Sequence, residues 1–320
     1  MPTSTEFFGV TAHNLGPLTT TFTAPLACAT GTDHHILVNG SAPSEFWGQP
    51  TCGIKDRGSC MPNGKSYDSL RSATTPLNRV WYHYYSPGIA CPSGWTTAGN
   101  MVKDGDSSLS ASGIFSRPVR TATFEAQPLE PSDFWGQIMN VSETIALCCP
   151  RYVGTCIDEQ KSRLNMSSDY VADPQGHCFS TVGPMSEFNY SSMCHSPAPV
   201  EVITVTNVDG ASLTKPLISF DVLSTPASTY EDDRLITHSR YSSELVVATW
   251  VPAVPLVHQQ SDLDEAEEED DGGDDENDDG DDSDSEGSDG NAASTKAPGN
   301  GVVSVLGLTL GILAGTGMLL

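Results

Sequence analysis

At 320 residues, with 41 acidic against 15 basic side chains and a formal charge of −26, the chain has room for one domain or two small ones. Eighteen of the acids lie between Asp262 and Asp289 with no Lys or Arg among them, so the remainder is only mildly acidic. Phosphate binding needs a basic face, the sequence offers none, and nucleic acid is excluded as a partner.

Residues 1–27 form a polar N-terminal segment. It has no basic start and no unbroken apolar run of the kind a secretory leader carries. Residues 28–196 follow as a cysteine-rich region of short apolar bursts between Pro, Gly, Ser and Asn. Strands are predicted at His35–Asn39, Arg79–Tyr85, Val119–Ala126 and Glu143–Cys148, where β-branched and aromatic residues sit between turn residues. No stretch holds a sustained apolar period of 3.6, so no long helix is predicted. The phrase PSEFWGQ at Pro43–Gln49 returns as PSDFWGQ at Pro131–Gln137 without matching flanks, which favours shared turn chemistry over an internal duplication.

All nine cysteines, Cys28, Cys52, Cys60, Cys91, Cys148, Cys149, Cys156, Cys178 and Cys194, fall in this region. In an oxidising compartment they supply up to four bridges and leave one thiol over. Cys148 and Cys149 are adjacent on a predicted strand, cannot easily bond each other, and should reach different partners. Asn39, Asn140, Asn165 and Asn189 each head an N-x-Ser sequon in polar or turn-rich text and are candidate glycan acceptors.

Residues 197–260 change to longer strands, Val200–Val208, Leu217–Val222 and Leu245–Val257, with a soft boundary near Ser196–Pro199. They contain no cysteine and should hold by ordinary sheet packing. Residues 261–301 form an acidic stalk and spacer that buries too little apolar surface to fold and should be disordered. Asp282, Asp284, Glu286 and Gly287 match only the start of a calcium loop, whose twelfth position is Ala293, so weak divalent-cation binding is the most expected of the stalk.

Residues 302–320 are uncharged and apolar, and as a helix would span roughly 28 Å, about a bilayer core. The small triplet Asn291-Ala292-Ala293, a polar spacer and this tail have the order of a glycosylphosphatidylinositol signal, with Asn291 favoured as the attachment residue and Gly290 or Ser294 as alternatives. Gly307, Gly311 and Gly315, spaced four apart, instead suit a retained membrane helix.

Four phrases together, LGPLTTTFTAP at Leu15–Pro25, YYSPGIACPSGW at Tyr84–Trp95, ETIALCCPRYVGTC at Glu143–Cys156 and AVPLVHQQSDL at Ala253–Leu263, resemble a widespread group of cysteine-rich surface and membrane proteins of filamentous fungi. That resemblance implies an extracellular ectodomain on a single-pass or lipid-anchored chain, and carries no agreed activity. The long acidic stalk departs from the group's pattern.

Enzyme devices are sparse. No G-x-S-x-G elbow, P-loop, strand-linked G-x-G-x-x-G or H-E-x-x-H occurs, so no catalytic residue, metal or cofactor is assigned. His177-Cys178 with Cys194-His195 has the ligand types of a zinc site without a finger's spacing, and bridged cysteines explain it better. His34-His35 reads as a solvated turn. Trp47, Trp81, Trp95, Trp135 and Trp250 read as core, although Tyr82 and Tyr84 in the run Trp81–Tyr85 have the alternation of an outward carbohydrate platform.

The expected fold class is mainly β: a disulfide-stabilised irregular β-rich ectodomain, a disordered acidic stalk and a C-terminal apolar helix. The expected function is that of a non-catalytic, membrane-anchored protein on the extracellular face of the cell, partnering the membrane and a wall glycan or surface protein. The alternatives are a tail-anchored, cytosol-facing interaction protein that binds through its acidic segment, and a secreted hydrolase.

Overall fold

The computed structural model describes residues 6–271 apart from 26–27, 29–33, 41–45, 54, 78, 106–107, 117–126, 152–170, 174–175, 196–201, 209–210, 221–222 and 239–243. In chain order the strands are β1 (Glu6–Phe7), β2 (Val10–Asn14), β3 (His35–Asn39), β4 (Phe46–Gly48), β5 (Trp81–Tyr84), β6 (Trp95–Lys103), β7 (Leu109–Ala111), β8 (Gln127–Pro128) and β9 (Thr144–Pro150). They continue with β10 (Val171–Asp173), β11 (His177–Pro184), β12 (Met193–His195), β13 (Val202–Val208), β14 (Ala211–Phe220), β15 (Tyr230–Asp232), β16 (Leu245–Pro252) and β17 (Val254–His258). The α-helices are α1 (Gly64–Thr74), α2 (Pro131–Ile138), α3 (Arg234–Thr237) and α4 (Gln260–Asp271). The protein is mainly β, as its composition of short β-branched runs predicts.

Two sheets carry most of the core. One has the order β10-β11-β16-β3-β4, the other β17-β9-β6-β7. Three smaller sheets, β1-β2-β5, β13-β14-β8 and β12-β15, complete the fold. The run LVVATWVP forms the central strand β16, antiparallel to β11 on one side and β3 on the other. Its first four residues are all buried, as in a strand covered on both faces.

Pro252 ends β16, since a proline has no N–H to continue the ladder, and the fully buried Ala253 carries the chain into β17 of the other sheet. The expected strand Leu245–Val257 is therefore two strands in two sheets. Pro255 is tolerated because β17 is an edge strand, paired only with β9 within its sheet. The strands after Ser196–Pro199 thus complete sheets begun in the cysteine-rich region, and residues Met1–Asp274 form one compact unit. The largest core cluster joins β2, β5, β6, β9, β17 and α2 through Val10, Tyr84, Met101, Phe134, Trp135, Ile145, Leu147 and Val257.

Three further expectations meet the structure here. The two copies of the F-W-G phrase fold differently: Phe46–Gly48 is β4, whereas Pro131–Ile138 is α2, started by Pro131 in its first turn with Asp133 beside the positive helix end. Neither F-W-G lies in a turn, so the expected shared turn chemistry does not account for the repeat. The acidic stalk does not begin as disordered chain at 261, because α4 runs to Asp271. Asp262 accepts the Gln259 N–H at 2.7 Å and Asp264 accepts from the Gln260 side chain at 2.9 Å, closing the first turn. The predicted strand Val119–Ala126, the rest of the stalk and residues 302–320 lie outside the described residues. Among the described helices none is long and apolar enough to cross a membrane.

Candidate functional site

Eight cysteines form four bridges: Cys28–Cys60, Cys52–Cys194, Cys91–Cys148 and Cys149–Cys178, with Cα–Cα distances from 4.9 to 5.7 Å. Cys156 lies outside the described residues. Neighbouring residues on a strand face opposite ways, so the two cysteines of β9 leave on opposite faces. Cys148 enters the cluster of Tyr85, Leu256 and Cys91, and Cys149 the larger one with Cys178. The adjacent pair thus staples both faces of a single strand.

Cys178 and Cys194, expected to stand beside His177 and His195, are spent in two different bridges. Their thiols do not converge, and among the described residues no group of three or more His, Cys, Asp or Glu is placed to hold a metal ion.

The aromatic run follows the core reading over the platform alternative. Tyr84 is only 2 % exposed and Tyr85 fully buried. Tyr82 packs on Phe134 and Trp135 at ring distances of 5.0 and 5.7 Å. β5 is covered on both faces, so Tyr82 and Tyr84 form no outward platform. His34-His35 is likewise no solvated turn. His34 is buried, while His35 opens β3, shares a 2.7 Å hydrogen bond with the Tyr190 hydroxyl, and is pushed below the usual histidine pKa by burial.

Among the candidate glycan acceptors, Asn189 is exposed between Phe188 and Tyr190, whose rings stack at 5.8 Å. Asn39 is half-buried at the end of β3. Asn140 is half-buried in the turn before β9: its backbone N–H and side-chain amide donate to the two oxygens of the buried Glu143 carboxylate at 2.7 and 3.1 Å. Glu143→Ala removes both acceptors and is expected to cost about 2–3 kcal/mol, against about 1 for Glu143→Gln, which keeps one acceptor; thermal unfolding of the two variants checks the order. Asn165 and Asn291 lie outside the described residues.

The arrangement with the clearest binding chemistry surrounds Trp250 on β16. The Arg57 guanidinium stands 4.4 Å and that of Arg71 5.2 Å from the indole centroid, inside cation–π range, and the His177 ring lies 5.3 Å away. Both arginines are buried. Asp68 of α1 accepts the backbone N–H groups of Arg57 and Gly58 at 2.8 Å each, fixing the loop that carries Arg57, and Arg71 donates to the Lys55 carbonyl at 2.9 Å. That loop presses on the start of α1, where a Cβ on Gly64 would meet the Gly58 carbonyl oxygen at 1.7 Å. Only glycine fits there.

His34, His35, Gln49, Lys55, Arg57, Arg71 and Trp250 line a cavity of about 10 Å³, room for a single water-sized group. Its donors and cations suit one oxygen of an anionic or carbonyl group held beside an indole. Sequence reading missed this site because its residues are far apart in the chain and carry no motif; Arg57 and Arg71 on one apolar-poor stretch were the only signal.

The class these features define is a mainly β protein stapled by four disulfides and carrying a small cationic–aromatic recess. No family model, curated protein or solved structure matches the chain.

Proposed function

We propose that the protein is a non-catalytic, membrane-anchored cell-surface protein whose disulfide-stapled β-rich ectodomain serves adhesion, wall association or ligand binding. The observation that carries this reading is the pairing of eight of the nine cysteines within one β-rich unit. Reducing compartments do not sustain such a set, whereas secreted and surface proteins are stabilised by it. The remaining parts are supported by sequence: sequons at Asn39, Asn140, Asn165 and Asn189, an acidic stalk, and an apolar tail that anchors the chain as a helix or through a lipid at Asn291. The recess at Trp250 supports recognition of a small anionic or carbonyl-bearing group, such as one displayed by a wall glycan or a surface protein.

The test is thiol counting on chain purified from a fungal host, with unfolding in denaturant before alkylation. One alkylated thiol per chain, at Cys156, is expected without reductant and nine with it. Nine without reductant would overturn the reading and favour the tail-anchored, cytosol-facing alternative. On intact cells, a glycosidase-sensitive mobility and release by a phosphatidylinositol-specific phospholipase are expected; release failing while glycans are present would assign the retained helix in place of the lipid.

A further inference from the structure

The segment 81–88, comprising β5 and the turn after it, lies along β17. Tyr85 donates its backbone N–H to Pro255 and accepts from Val257, each at 2.9 Å, and Gly88 donates to Val257 at 3.1 Å. A buried histidine closes each end of this seam. His83 of β5 reaches the Ala253 carbonyl through Nε2 at 3.1 Å, and His258 of β17 reaches the Gly88 carbonyl through Nδ1 at 2.9 Å. Carbonyl oxygens only accept, so each bond requires its proton on that nitrogen, and a second proton on the other nitrogen would keep the bond but place a charge in the buried seam.

The surroundings disfavour a second proton. Around His83 stand the rings of Tyr67 from α1 at 4.9 Å and of Trp81 and Tyr85 at 6.0 and 6.2 Å. His13 of β2 faces it in parallel register, and His177 of β11 acts on it as a like charge. Arg57, Arg71 and Asp68 act on the neighbouring Tyr67. Burial first, then His177, bring His83 down from 6.5 to about 3, against the opposing bond to Ala253. His258 pairs with Thr144 of β9 and is also held low by burial, opposed by its bond to Gly88 and by Asp262 of α4.

β17 is an edge strand, and no disulfide joins any residue after Cys194, whereas its neighbour β9 is stapled on both faces. We propose that the two histidines make this seam an acid-operated latch: proton uptake by His83 and His258 releases β17, and with it the junction to α4, while the disulfide-tied remainder stays folded. Both groups have depressed values in the closed seam, so the closed form is favoured above the open-state value near 6.5 and loses that advantage as pH falls below it. Each proton taken up only on opening multiplies the opening constant by at most about ten per pH unit, so a second histidine steepens the dependence beyond that of one.

Hydrogen exchange on the full chain between about pH 7 and pH 5, corrected for intrinsic exchange rates, reads the latch directly. Protection of 81–88 and 254–258 is expected to fall together below about pH 6.5, more steeply than the roughly tenfold per unit that one histidine allows, while Ile36–Val38 of β3 keeps its protection. In His258→Asn, whose side-chain amide nitrogen takes the place of Nδ1 and donates to Gly88, the slope is expected to drop to that of one histidine, about tenfold per unit at most. Protection independent of pH, or lost equally in β3, would overturn the proposal; the wild-type contrast between segments decides it even where a variant fails to fold.

Discussion

Replacing Cys52 and Cys194 together by alanine is expected to lower unfolding stability by about 4 kcal/mol: the bridge spans 142 residues, but Cys91–Cys148 and Cys149–Cys178 lie within that span and shorten the loop it closes. On chain entropy alone, Cys91–Cys148 with a separation of 57 is level with it at about 4 kcal/mol, and Cys28–Cys60 and Cys149–Cys178, with 32 and 29, follow at about 3.5. The last pair carries an added cost. Cys149 and Cys178 are buried in the main cluster, and truncating both removes packed atoms between β9 and β11 as well as the staple. Guanidinium unfolding of the four double variants, each free of an orphaned thiol, measures the order. Equal, small losses would mean that the unfolded chain is already held compact without its bridges.

Trp135→Ala is expected to cost about 3–5 kcal/mol, and Trp47→Ala about half as much, although the two residues occupy the same place in the repeated F-W-G phrase. Trp135 on α2 is 2 % exposed and packs against Phe134, Tyr82 and Tyr84 at ring distances between 5.4 and 5.9 Å. Trp47 on β4 is half-buried at the margin of the cluster around Leu37 and Val247. The measurement is the denaturant midpoint of each variant at constant slope. Equal losses would show that the two copies pack alike, contrary to their strand and helix conformations.

The same phrase shows where local sequence stops deciding structure. Pro131 at a helix start and the apolar spacing of Phe134, Trp135 and Ile138 place one face of α2 on the core, while β4 is pulled into sheet by the register Leu37↔Gly48. Helix α1 escaped periodicity for a related reason. Its buried residues, Gly64, Tyr67, Arg71 and Thr74, have helical spacing but mostly polar or minimal side chains, so the apolar count is silent. Tyr82 and Tyr84 follow the core assignment rather than the outward alternation, because alternation assumes one wet face and β5 has none: α2 covers one side through Phe134 and Trp135, and α1 the other through Tyr67.

The features legible in residue type and short windows are therefore local and compositional. The β class, the strands at His35–Asn39 and around Glu143–Cys148, the availability of four bridges and the divergence of Cys148 from Cys149 all follow from residue type, alternation and strand geometry over a few positions. The tertiary structure alone decided which cysteines pair, that β16 and β17 belong to two sheets, that Arg57 and Arg71 meet Trp250, and that His83 and His258 close one seam. Each of those joins residues distant in the chain, and their meeting is set by how the sheets share a core, a global packing balance that no short window of sequence contains.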